Sequence, residues 1–299
     1  MSDDAAELRQ AIDRADGETA LRLAAAAWRD LMGQGSGELL ARTVELTRDA
    51  PASEPLAQVR YAAGLVAFRA GDNERCRELS RSALATADAV GSDAERARAH
   101  VGLSRADFRT GAYDDAWHHA DAADEAARRA GADDLAVAAL HMKAEITRAR
   151  RDYAAAIPLY EQLLAIDEAA GDARSLAMEH YNLGSVLLQH ADIARSREHV
   201  RQAAELLGDK PDNAVYVVLA GAGLAARTGD VDRAGRLMGF VHAELERTGE
   251  VLDPAEQLEH DSHVDAATAA DDDGYRTAYV AGRELTSDQA VQLVREVVA

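Results

Sequence analysis

The chain has 299 residues, 47% of them apolar but only 4% aromatic, and its 53 acidic against 33 basic side chains leave a formal net charge of −20. Such a charge repels phosphate backbones, so direct nucleic-acid binding is not expected. A single cysteine, Cys76, excludes an intramolecular disulfide framework and suits a reducing interior, where a small buried side chain is the expected role.

From the N-terminus, Met1-Ser2-Asp3-Asp4 carries acid and no apolar run, so no secretory signal is expected. The longest apolar stretch, 214–226, is too short to span a bilayer. These readings give an expectation of a cytoplasmic protein without membrane attachment.

A repeat then dominates the chain. Gly71, Gly111, Arg151 and Ala191 stand forty residues apart, and Gly229 follows after 38. Each opens a pattern in which Ala, Cys or Ser recurs five residues on, at Cys76, Ala116, Ala156, Ser196 and Ala234. Gly91, Gly131, Gly171, Gly208 and Gly249 keep nearly the same beat. Two interleaved turn series at one period predict a helical hairpin repeated, with one turn inside each hairpin and one between hairpins.

Apolar residues at three- and four-residue spacing, as in Leu135, Ala139, Met142 and Ile146, predict amphipathic helices. Asp72, Asp152, Asp192 and Asp230 stand where each second helix needs an N-cap. Pro158 falls inside one second helix and predicts a local bend. With so few aromatics, the core must be Ala, Leu and Val at close helix spacing.

These residues resemble the tetratricopeptide repeat, as in Gly64, Gly71-Asp72, Cys76 and Ala83-Leu84, and again in Gly184, Asp192 and Ala203. The forty-residue unit points to the long MalT-like variety. The resemblance implies an all-α, right-handed superhelical solenoid of about six helix-turn-helix repeats over residues 18–253. An N-terminal helix in 1–17 would precede them and capping helices in 254–299 would follow. Ala234-Gly235-Arg236-Leu237-Met238-Gly239 and Gly282-Arg283-Glu284-Leu285-Thr286 are similar to the C-terminal region of actinobacterial transcriptional regulators of the LuxR and antibiotic-regulatory types. That resemblance implies a setting in transcriptional regulation or signalling. The only lysines, Lys143 and Lys210, lie outside any Walker-type Gly-Lys-Ser/Thr loop, so ATP hydrolysis by that route is excluded.

Several motifs read as structure. Gly221-Ala222-Gly223-Leu224-Ala225-Ala226 formally matches a dinucleotide fingerprint, but the repeat places it inside a first helix, where small residues permit close packing. Glu256, His260 and His263 share one helical face and read as a solvated polar face, as His118-His119 reads as surface. Asp271-Asp272-Asp273-Gly274 reads as a turn, and Gly33-Gln34-Gly35-Ser36-Gly37 as a hairpin loop. No cofactor, metal or catalytic set is expected.

One constellation points to binding. In a tetratricopeptide stack, positions 2, 5, 9, 12 and 13 of each first helix share the inner face. Carried through the chain, that register gives Arg22, Arg29, Tyr61, Arg69, Arg98, Arg105, Arg109, His141, Glu145, Arg148, Tyr181, Gln189, Tyr216 and Arg227. The thirty positions hold eight arginines and a single acid, where the composition alone gives about three and about five. Arginine forks fit carboxylates or phosphates, and tyrosine adds a rigid wall with a hydroxyl. The expectation is a non-enzymatic interaction module whose Arg/Tyr-lined concave groove takes a partner protein or peptide of acidic character. A sensor of a small anionic ligand, such as a phosphorylated metabolite or nucleotide, is the alternative. These arginines could also bridge to acids on neighbouring helices and close the groove.

Overall fold

A three-residue backbone device sets the turn within most hairpins. The first helix ends, the next residue takes a left-handed conformation, and an aspartate then caps the second helix. In the computed structural model, which describes residues 3–33, 35–207 and 214–299, Gly71, Gly111 and Gly229 hold the left-handed position with φ of 79°, 77° and 81°. Arg151 and Ala191 hold the same position with φ of 61° and 64°, a conformation that costs a side-chain-bearing residue energy. Asp72, Asp152, Asp192 and Asp230 each accept a hydrogen bond from the backbone N–H three residues on, as their spacing predicts. Ala112 takes the N-cap position in the remaining hairpin without a side-chain bond. Gly91, Gly131, Gly171 and Gly249 end the second helices in left-handed C-caps. Gly208, expected to do the same, lies outside the described residues, as do Gln34 and Lys210.

Among the described residues the secondary structure is helical throughout, with no strand. After α1 (Asp3–Asp13) come successive pairs: α2 (Gly17–Gly33) with α3 (Glu38–Leu46), then α4 (Glu54–Arg69) with α5 (Asn73–Val90). The pairing continues through α6 (Asp93–Arg109), α7 (Tyr113–Ala130), α8 (Asp133–Ala149) and α9 (Tyr153–Ala170), the last running on through Pro158. It ends with α10 (Ala173–Gln189), α11 (Ile193–Leu206), α12 (Ala214–Thr228) and α13 (Val231–Thr248). Three further helices follow: α14 (Pro254–Ala270), α15 (Asp272–Gly282) and α16 (Ser287–Val298). Asp271 caps α15 by accepting from the Gly274 N–H, so the acidic run expected to be a turn instead opens a helix, where its carboxylates meet the positive end of the dipole. Thr286 and Gln289 form a capping box on α16.

The helices divide into two compact units, Met1–Ile146 and Thr147–Ala299. In the first, α2 packs on α4 and α4 on α6 around Trp28, Leu31, Leu39, Leu40, Val59 and Leu79. Cys76 is fully buried there with its thiol toward the Gly102 carbonyl, and burial pushes its pKa up. In the second, α10, α12, α13 and α16 enclose Val217, Val218, Leu237, Phe240 and Val294. The Gly221–Gly223 run lies in the interior of α12. A Cβ on Gly221 would stand 2.6 Å from a Val294 methyl, so the glycine is what admits α16. The two C-terminal motifs serve one contact: α13 and α15 cross so closely that a Cβ on Gly239 would meet the Tyr279 carbonyl at 2.1 Å and one on Gly282 the Arg236 carbonyl at 2.0 Å.

The left-handed position at residue 191 predicts that Ala191→Gly stabilises the protein by about 1 kcal/mol, the relief of the Cβ clash exceeding the entropy glycine adds to the unfolded chain. A urea-unfolding midpoint that rises with unchanged slope would establish it.

Candidate functional site

The inner face of the first unit is built on α2, α4, α6 and the part of α8 up to Ile146. Tyr61 of α4 is buried with its ring edge against Trp28, centroids 5.9 Å apart. The guanidinium of Arg29 lies over the Trp28 ring at 4.7 Å and reaches Asp134 of α8 at 3.4 Å, an exposed pair of small energetic consequence. Arg109 of α6 stacks on Phe68 of α4 at 4.2 Å, which draws two first helices together through a cation–π contact. Arg98 is paired with Glu95, a buried carboxyl whose pKa burial raises against the lowering influence of that arginine. Arg22 and Arg69 are exposed, and Arg105 and His141 half-buried. The side chains of Arg105 and Arg69 make no ion pair or hydrogen bond among the described residues.

The second unit treats the same register differently. Arg148 is 1% exposed, and Glu259 of α14 takes its Nε and Nη2 donors on two carboxylate oxygens at 2.7 and 2.5 Å. Its Nη1 donates to the Asn182 side-chain oxygen at 3.3 Å and its Nη2 to the Tyr181 hydroxyl at 3.4 Å. Tyr181 in turn donates to Glu256, one turn before Glu259, at 3.1 Å. Burial alone would depress the Arg148 pKa, but the Glu259 carboxylate outweighs it and holds the group well above the ordinary value. Burial, reinforced by Glu256, raises the Tyr181 phenol far above its usual range. Tyr216 packs on Tyr181 with ring centroids 5.7 Å apart. Gln189 is half-buried at the end of α10, and Arg227 is exposed on α12.

Helix α14 thus lies against first-helix residues that the register assigns to a groove. The face of α14 carrying Glu256, His260 and His263, expected to be solvated, is the buried one. A Cβ on Gly223 would stand 2.4 Å from the His263 imidazole, so that glycine makes the room for it. Burial, with His260, Arg227 and Arg148 nearby, lowers the His263 pKa to about 3 and keeps it neutral. His260 meets His242 at 2.6 Å between Nε2 atoms, and His242 meets the Tyr279 hydroxyl at 2.7 Å, tying α14 to α13 and α15. No group of three or more His, Cys, Asp or Glu among the described residues is arranged to hold a metal. The residues missed from sequence are Glu259 and Asn182, whereas Gly223, in sequence a small residue that permits close packing, does permit it here. The Asp253-Pro254 start with Glu256 at the third helical position announces α14, but nothing local says which face it buries.

Two histidine pairs recur eighty residues apart. His100 and His119 meet at 3.1 Å between α6 and α7, and His180 and His199 at 2.9 Å between α10 and α11, with the same 33° between rings. His118 is exposed, as expected, whereas His119 is half-buried through this pairing. Burial and the neighbouring His119 lower His100 to about 4, and burial and His180 lower His199 to about 4.

These features generate two expectations. Removing one partner of the buried pair, as in Glu259→Ala, costs about 3–5 kcal/mol because Arg148 is left charged in a dry site, while Arg148→Met with Glu259→Leu recovers most of that loss. A double-mutant cycle in urea measures it. The unfolded state protonates His199 near pH 6.5 and the folded state only near 4, so its contribution is fully present above pH ~6.5 and is lost as the pH falls toward 4. Wild type should therefore lose stability relative to His199→Gln between pH 7.5 and 5, read as converging melting temperatures, with Glu161, Arg195 and Glu198 as the other charged groups that face it.

The fold is shared with a solved protein. The crystal structure of the apo form of RapI matches 98% of this chain and 84% of that chain with a TM-score of 0.51 at 14% sequence identity. Identity at that level speaks for fold alone. No family model matches the sequence, and no curated protein matches it. No helix among the described residues is long and apolar enough to cross a membrane. The chain is an all-α helical-repeat protein.

Proposed function

We propose that the protein is a non-enzymatic interaction module that holds an acidic segment of a partner protein on the Arg/Tyr-lined face of its first unit. The observation that carries this reading is the contrast between the charge of the chain and the charge of that face. In a molecule of net charge −20, the first-helix positions concentrate guanidinium groups, and Arg69 and Arg105 spend no side-chain donor on the described residues. Arginine presents a planar fork to a carboxylate and is more weakly hydrated than lysine, so it suits a surface that must give up water on binding. Trp28 and Tyr61 supply a rigid apolar wall beside it.

The second unit supports the same chemistry from within. There a Glu-bearing helix already sits on Arg148 and Tyr181, an internal contact of the same chemistry that supports the reading. The setting follows the sequence resemblance: a cytoplasmic role in transcriptional regulation or signalling, exercised through a protein partner and not by direct contact with nucleic acid.

The test is a titration of the full chain with fluorescent acidic and basic 20-residue peptides at low and moderate salt. Acidic peptides bind and weaken as salt rises, basic ones do not bind, and Arg105→Ala and Arg109→Ala each weaken the acidic complex about tenfold. Unchanged affinity in both variants sinks the assignment of this face.

A further inference from the structure

Burying an arginine calls for an anion, and one arginine of the first unit has none. Arg60 of α4 is half-buried and donates from Nη1 to the Thr86 hydroxyl and from Nη2 to the Arg48 carbonyl at 3.5 Å, both neutral acceptors. No carboxylate among the described residues pairs with it, although the chain carries 53 acidic side chains. Burial therefore lowers its pKa with nothing to oppose it. Among the described residues every other arginine with a displaced pKa is raised, its carboxylate partners outweighing burial. A cation held partly out of water without a counter-charge is destabilising, so the site lacks an anion.

The surroundings of Arg60 supply the rest of such a site. It lines a cavity of about 160 Å³ between α3, α4 and α5, together with Arg48 just past the end of α3 and with Arg75 and Ser82 of α5. Glu45 and Glu78 line it as well. Arg48 pairs with Glu45, and Arg75 bridges Glu45 at 3.3 Å and Glu78 at 3.1 Å. Three guanidinium groups thus meet two carboxylates, and the surplus positive charge falls on Arg60. The glutamate pairs are solvent-exposed and rearrange at small cost. The Ser82 hydroxyl has no hydrogen-bond partner among the described residues.

The arrangement selects among anions. A carboxylate is planar and is filled by one guanidinium fork, whereas a phosphoryl group presents three oxygens in different directions and accepts from several forks at once. The cavity is well below the roughly 300–1,000 Å³ that takes drug-sized ligands, so it has room for a phosphoryl group without a nucleoside attached inside it.

We propose that the cavity between α3, α4 and α5 binds a phosphate monoester, with Arg60 as its principal counter-charge and Arg48, Arg75 and Ser82 as further donors. The site shares no residue with the inner-face register, so it stands or falls independently of the reading of that face.

The probe is N-acetyl-O-phosphoserine amide, titrated by calorimetry into the full chain at about 150 mM salt, with N-acetylserine amide as the control. The phosphorylated compound binds with a dissociation constant below about 1 mM and the control does not bind. Arg60→Met weakens binding at least about tenfold and Arg48→Gln about threefold. Glu45→Gln, which removes a competing carboxylate from the cavity, tightens it about threefold, an effect that general damage to the fold would not produce. Arg48 and Glu45 are exposed, so these two variants test the site even where Arg60→Met fails to fold. No binding up to about 10 mM overturns the inference, and so does binding that ignores both arginine substitutions. N-acetylaspartate amide binding as tightly as the phosphorylated compound overturns the choice of phosphate. A ten-residue phosphoserine peptide that binds about tenfold more tightly than the amide supports the site and identifies a partner's phosphorylated side chain as the source, whereas equal affinity supports it with a small phosphate ester as the source.

Discussion

A guanidinium group cannot be taken out of water without a matched anion, and the second unit is organised around that requirement. Arg148 is buried on the first-helix face, and a carboxylate that meets its fork comes from α14, more than a hundred residues later. That demand fixes the rotation of α14 about its axis. Once Glu259 is on Arg148, Glu256 falls on Tyr181, and His263, one turn further on, must find a place on α12. Gly223 is that place. His260 then meets His242 and, through it, Tyr279, so one ion pair propagates into the positions of three helices. Such a pair contributes little net stability against an apolar alternative, since desolvation offsets most of the attraction. What it supplies is a unique register for a helix whose buried face contains almost no large apolar side chain.

The repeat obeys a different constraint, set by the backbone. A first helix can reverse into a second over two or three residues only if one of them is left-handed, and the chain places glycine there wherever it can. Arg151 and Ala191 show that the turn outranks the residue, because the geometry persists where the side chain opposes it. Aspartate caps complete the device in four hairpins. Small residues carry the rest: Ala lines the interior of the paired helices, and Gly239 and Gly282 let α13 and α15 approach backbone to backbone. An aromatic-poor composition is therefore consistent with a well-filled core, because the helices are close enough to fill it with methyl groups.

Features governed by local rules were legible in the sequence. The turn positions, the four aspartate caps and the helical setting of the Gly221–Gly223 run all follow from spacing and from groups within a few residues. The candidate site was legible only in part. Register places Arg148 and Tyr181 on the same face as Tyr61 and Arg105, and the structure keeps them on first helices as that register requires. Register cannot show that α14 returns to cover the first two and bury its own histidine-bearing face. Glu256, His260 and His263 look solvated in sequence because polar residues on one helical stripe usually are. Glu256 and His260 are buried because long-range partners, Tyr181 and His242, meet them, and His263 because Gly223 leaves it room. The Asp271–Gly274 run shows the local version of the same difficulty, since an acidic cluster that suits a turn also suits the first turn of a helix.

The distinction between the two units bears on function through free energy. Displacing α14 from the second unit would strip Glu259 from a guanidinium with no water access, leave the Tyr181 hydroxyl without its acceptor, and break the His242–His260 contact at once. A competing acidic segment would have to replace all of these before it gained anything, so that face is a structural contact with the chemistry of a binding site. Arg29, Arg98 and Arg109 of the first unit are engaged as well, but Arg69 and Arg105 carry no such debt. Arg69 is exposed and Arg105 half-buried, neither has a side-chain partner among the described residues, and a carboxylate would gain either fork without first breaking an internal pair.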